Sequence, residues 1–114
     1  MFYRLKISTL EEIADSTLSL TIETSTAAHV ALGDVDTFHW NANGTFLAGE
    51  DTVIGNAFYS YVRLNNVTGK ITFTVIEDGS ASTGIITLLF TSPTSGTFEL
   101  NEGDLRETGT FFLN

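Results

Sequence analysis

KITFTVIEDGSASTGIITLLFTSPTSGTFEL, residues 70–100, decides the fold. Ile71, Phe73 and Val75 alternate with Lys70, Thr72 and Thr74, and Ile86, Leu88 and Phe90 alternate with Thr87, Leu89 and Thr91. Side chains on a strand point to opposite faces in turn, so each run buries one apolar face. The runs are joined by Asp78-Gly79-Ser80-Ala81-Ser82 and then by Pro93-Thr94. Neither connector reaches the dozen or so residues that a parallel crossover needs, so neighbouring strands pair antiparallel.

The same reading extends in both directions. Towards the C-terminus come strands over Ser95 to Leu100 and Glu107 to Leu113, with Asn101 to Arg106 between them. Ala57 to Leu64 precedes the decisive stretch across Asn65 to Gly69. Leu18, Leu20 and Ile22 mark a first strand. Ala28 to Leu32 and Asp36 to Asn41 read as a second, broken at Gly33-Asp34. Asn41-Ala42-Asn43-Gly44 turns into a short strand over Thr45 to Ala48, and Glu50 to Asn56 is a loop or a short edge. Only Ser8 to Asp15 has helical signals, with capping boxes at Ser8/Glu11 and Thr9/Glu12. The expectation is an all-β antiparallel up-and-down meander of about eight strands, closed or nearly closed into a barrel because closure protects sheet edges. One domain spans residues 1–114, with residues 1–16 as a strap carrying the short helix and 17–114 as the barrel.

The expected interior is one face per strand: Phe58, Val62 and Leu64; Ile71, Phe73 and Val75; Ile86, Leu88 and Phe90; Phe98 and Leu100; Phe111 and Leu113. Burying each contributes roughly 1.5–3 kcal/mol, so no cofactor is needed for stability. Ile76, Ile85, Leu89 and Phe112 break the alternation and fall outside. They are read as the seat of a lid made by Leu10 and Ile13, as an interface with another copy or another protein, or as scattered exposure.

The chain has 114 residues, 42% of them hydrophobic, and a formal net charge of −9 from 14 acidic and 5 basic side chains. Such a surface repels phosphate backbones and anionic lipid, which argues against nucleic-acid and membrane partners. No cysteine is present, so disulfides, thiolate metal sites and a cysteine nucleophile are excluded. Met1 to Ser8 lacks the apolar h-region of a signal peptide. The chain is therefore expected to be cytosolic, or else a mature or excised part of an exported protein.

Tyr59, Tyr61 and Arg63 share a face opposite Phe58, Val62 and Leu64, forming an aromatic ledge that suits a small apolar or sugar-like ligand. Cross-strand packing is the plainer explanation, and a reversed register would turn the tyrosines into the barrel. His39 and Trp40, beside the Asn41–Gly44 turn, are candidates for a pocket mouth, or for an anchoring tryptophan with a solvated histidine. His29 and His39 are not spaced as metal ligands, and the loop carboxylates do not follow a calcium-loop pattern. No nucleophile–base set or dinucleotide fingerprint is present, so no catalytic or metal-binding residue is assigned and no cofactor is expected. Asn43-Gly44-Thr45 and Asn66-Val67-Thr68 match the glycosylation sequon.

Four stretches carry a family likeness: Asp15 to Thr21, Phe38 to Phe46, Leu88 to Phe98 and Gly109 to Phe111. Through them the chain resembles calycin-like (lipocalin-like) small β-barrel units that occur, often repeated, in exported bacterial proteins of uncharacterised role. The resemblance implies the barrel and leaves the ligand open. Two functions follow as expectations: a non-enzymatic binding or structural module acting through its outer surface or mouth, or a small barrel enzyme of the isomerase or cyclase kind. The second is similar to allene oxide cyclases and acts on an apolar substrate inside the barrel.

Overall fold

Among the described residues the period-two runs become eight strands: β1 Ser16–Ser25, β2 Val35–Trp40, β3 Phe46–Ala48, β4 Asn56–Arg63, β5 Thr68–Glu77, β6 Ser80–Ser92, β7 Ser95–Glu102 and β8 Leu105–Leu113. This is a computed structural model, and it describes residues 13–28, 31–49 and 56–114. All pairings are antiparallel, in the order β3-β2-β1-β8-β7-β6-β5-β4. This up-and-down sheet curls into a nearly closed barrel, because the outer strands meet through a Thr45–Phe58 bridge. Tyr59 N–H donates to Gly44 C=O at 2.9 Å, and its hydroxyl donates to Asn41 C=O at 2.8 Å, so one residue of β4 fastens the seam twice.

Two turns are tighter than the sequence suggested. Glu77 pairs with Ser80, leaving only Asp78-Gly79 at the tip. Both have positive φ, 50° and 80°, as a two-residue turn of this hand requires. Glu102 pairs with Leu105 around Gly103-Asp104. Ser92 pairs with Ser95 around Pro93-Thr94, as expected.

The core joins Leu18, Leu20 and Ile22 of β1 to Trp40, Phe46, Ile71, Phe73, Ile86, Leu88, Phe90, Phe98, Leu100, Phe111 and Leu113. Rings of this size fit a narrow barrel because glycines face them. Phe73 lies over Gly84, its cross-strand partner, and a Cβ at Gly84 would collide with the ring. Tyr61 covers Gly69 in the same way.

Several expectations are corrected. In β4 the inner residues are Ala57, Tyr59 and Tyr61, while Phe58, Val62 and Leu64 are 47%, 53% and 52% exposed. The register explains this: Tyr59 pairs with Phe73 and Tyr61 with Ile71, both inward, so the tyrosines share their face. Ala28 and the Ala31–Leu32 pair lie outside any strand, so the second strand starts only at Val35. Ile13 is buried in the core cluster and does not cover the outer surface. Most of the expected helix and Leu10 lie outside the described residues; its described end, Ile13 to Asp15, is a turn with Asp15 at φ 65°. Among the described residues no helix is long and apolar enough to cross a membrane.

Candidate interaction surface

The five residues singled out for ligand binding separate in space. Trp40 is fully buried, stacked on Phe38 at 5.4 Å between centroids and tilted against Phe46 and Tyr59, each at 5.0 Å. His39 points the other way along β2, where its Nδ1 lies 3.0 Å from Thr17 Oγ1 on the neighbouring strand. The two therefore do not share a pocket, as the strand period requires. Tyr59 and Tyr61 face inward, and Tyr59 joins the Trp40 cluster. Arg63 clips its own turn, donating to Asn66 Oδ1 at 2.8 Å and to Asn65 C=O at 3.4 Å. The ledge is thus an internal packing element with an exposed arginine beyond it.

The core side chains line the inner face of the sheet, where Trp40 Nε1 is buried without a hydrogen-bond partner among the described residues. Glu107, on the inner face of β8, is 3% exposed and accepts from Ser25 Oγ at 3.1 Å. Asp36 lines a shallow open depression of about 430 Å³ between β2 and β3. Burial, and then the neighbouring Asp34 carboxylate, hold its pKa above the ordinary 3.8. Among the described residues no three His, Asp or Glu side chains are grouped to hold a metal ion.

The outer wall of β4, β5 and β6 is different in kind. Its outward positions are Phe58, Ser60 and Val62; Thr68, Lys70, Thr72, Thr74 and Ile76; Thr83, Ile85, Thr87 and Leu89, so Lys70 is its one charged side chain among the described residues. Leu64 joins them, its N–H donating to Thr68 C=O at 2.8 Å. Leu89, 45% exposed, pairs with Thr68 and so lies one strand from Leu64. Four carboxylates stand instead at two hairpin ends, Glu77 and Asp78 at one and Glu102 and Asp104 at the other.

Of the four expected interface residues, Ile76, Ile85 and Leu89 lie on this wall and Phe112 stands apart. Ile76 pairs with Ala81 near the β5–β6 tip, four residues beyond Thr72 along the strand, about 13 Å at strand rise. Phe112, 52% exposed, lies between Ser19 and Ser95 on the far side of β7. Sequence reasoning missed Val62 and Leu64 as surface residues, because both faces of β4 carry apolar or aromatic side chains. The signal that would have found them is Gly69, whose missing side chain makes room for Tyr61 inside.

No family model matches this chain, no curated protein is similar to it, and no solved structure matches it.

Proposed function

We propose that this domain is a non-catalytic interaction module that works by protein contact through the outer wall of β4 to β6. One observation carries this reading: Val62, Leu64 and Leu89 stand exposed on a wall whose inner side is packed with rings. Exposed apolar groups brought together in this way tend to mark association sites. An internal apolar substrate, as the cyclase-like alternative requires, would have to displace buried Phe, Ile and Trp side chains. The calycin-like character of the unit belongs to the same reading, with the barrel serving as a rigid frame for its outer face.

Trp40 is the sole tryptophan and is fully buried, so its emission reports on the interior alone. Titration with a twelve-carbon fatty acid is expected to leave that emission unchanged. Val62→Asp together with Leu89→Asp is expected to reduce retention on a hydrophobic-interaction column while the far-ultraviolet circular dichroism is kept. A saturable change in Trp40 emission with the fatty acid would place the ligand inside and overturn the reading.

A further inference from the structure

The register across β5, β6 and β7 arranges the wall in rows. Leu89 sits between Thr68 and Thr97, Thr87 between Lys70 and Glu99, and Ile85 between Thr72 and Asn101. Lys70 and Glu99 therefore flank Thr87 on either side of β6. Two strand spacings, about 10 Å, separate their backbones. Lys70 has no ion-pair partner among the described residues, whereas Glu99 is held by Arg106 of the next strand.

This pattern is self-complementary under one operation. A twofold axis lying in the interface and running along β6 exchanges β5 with β7. It sets Leu89, Thr87 and Ile85 against their own counterparts, and it sets Lys70 against Glu99 of the second copy, twice by symmetry. Thr68 then meets Thr97, and Thr72 meets Asn101, so the flanking hydroxyls and amide also find polar partners. The alternative twofold, running across the strands through Thr87, would set Lys70 on Lys70 and Glu99 on Glu99, which is repulsive.

Charge also restricts where two copies can meet. Each carries a net −9, so contact through the carboxylate-bearing hairpin ends is opposed. In such a pair each Glu99, on β7 at the border of the wall, would lie between its own Arg106 and the incoming Lys70, one anion between two cations. We propose that the occupant of this wall is a second copy of the chain, giving an isologous dimer whose axis follows β6 and whose register is fixed by reciprocal Lys70–Glu99 pairs. This rests on the reading of the wall as a contact surface and names its partner. The central block of three strands by three rows measures only about 10 by 14 Å at sheet spacing. A contact of this size belongs to the weak, transient end of protein interfaces, so the dimer forms only at high protein concentration.

Sedimentation equilibrium from 10 µM to 1 mM tests this, with circular dichroism confirming that each variant is folded. The wild type is expected to form dimers with rising concentration and nothing larger. Lys70→Glu and Glu99→Lys are each expected to weaken association at least tenfold, since each makes both reciprocal contacts like-charged. Mixed in equal amounts, the two variants restore opposite charges at both contacts, and heterodimers are expected at least tenfold tighter than either homodimer. A wild type that stays monomeric at 1 mM overturns the proposal, as does a mixture that associates no better than its components. If that failure comes with unchanged Trp40 emission and reduced column retention in the wall variants, the wall still acts as a contact surface and only the choice of partner falls.

Discussion

Replacing Gly84 with alanine adds a single methyl group at the point where the barrel has no room for it. The new Cβ would press on Cζ and Cε1 of Phe73, which is 5% exposed and packed edge-on against Phe46 at 6.0 Å. The ring cannot swing out to solvent, so strand or ring must shift. Overpacking of this kind costs about 1–3 kcal/mol. Gly84 does not have positive φ, so alanine also lowers the entropy of the unfolded chain, which returns about 0.4–1 kcal/mol. The net loss is then about 1–2 kcal/mol, and for a chain of 114 residues each kcal/mol lowers Tm by about 4 °C. Thermal and urea unfolding are expected to show a Tm lower by roughly 4–8 °C. Phe73→Leu, which removes the obstructing ring edge, is expected to destabilise less in the Gly84→Ala background than in the wild type. A Gly84→Ala protein as stable as the wild type, or strictly additive double-variant energies, would refute the idea that aromatic rings are seated on glycines.

Tyr59→Phe keeps the ring against Trp40 but loses the hydroxyl bond to Asn41, and is expected to cost about 0.5–1.5 kcal/mol, with faster hydrogen exchange at the Tyr59 amide that bonds Gly44. Asp36 has a raised pKa in the fold, from burial first and Asp34 second, so its contribution is favourable below the ordinary 3.8 and is lost as pH rises through the raised value. Asp36→Asn is therefore expected to raise the urea midpoint relative to wild type at pH 7, with the gain disappearing below about pH 4. Asp78→Val forces a β-branched residue to φ 50° and is expected to cost about 1–3 kcal/mol, whereas Asp78→Asn is close to neutral in the same unfolding assay.

The strands whose two faces differ in polarity were legible in the sequence. Ile71/Phe73, Ile86/Leu88/Phe90 and Phe111/Leu113 alternate chiefly with Thr and Lys, with Leu89 and Phe112 as the exceptions, and all seven are buried. Period two fails on β4, where Phe58 and Val62 on one face compete with Tyr59 and Tyr61 on the other, and hydrophobicity alone chooses wrongly. What decides is the partner strand: Tyr59 sits opposite Phe73, and Tyr61 finds its space over Gly69. Such cross-strand fits depend on register, which a single strand does not encode. The same limit explains the apolar patch. Ile76, Ile85, Leu89 and Phe112 all break alternation, but only pairing reveals that Ile76, Ile85 and Leu89 share a wall with Val62 and Leu64 while Phe112 does not. The separation of His39 from Trp40, by contrast, was implicit in their being adjacent on a strand.

The β1–β8 ladder has a consequence for how the barrel assembles in time. Five strands, β4 to β8, are zipped by hairpins alone, and β1 to β3 form a second meander of the same local kind. The two are joined by β1 and β8, whose Ser25–Glu107 contact spans 82 residues. Closing that span through bare chain costs about 4 kcal/mol in entropy, several times the cost of a hairpin turn. The expected rate-limiting event is then the docking of one prebuilt meander on the other. Substitutions at the Asp78-Gly79 tip should slow refolding, because the larger meander must exist first. Substitutions at the seam, such as Tyr59→Phe, should leave refolding unchanged and appear only as faster unfolding.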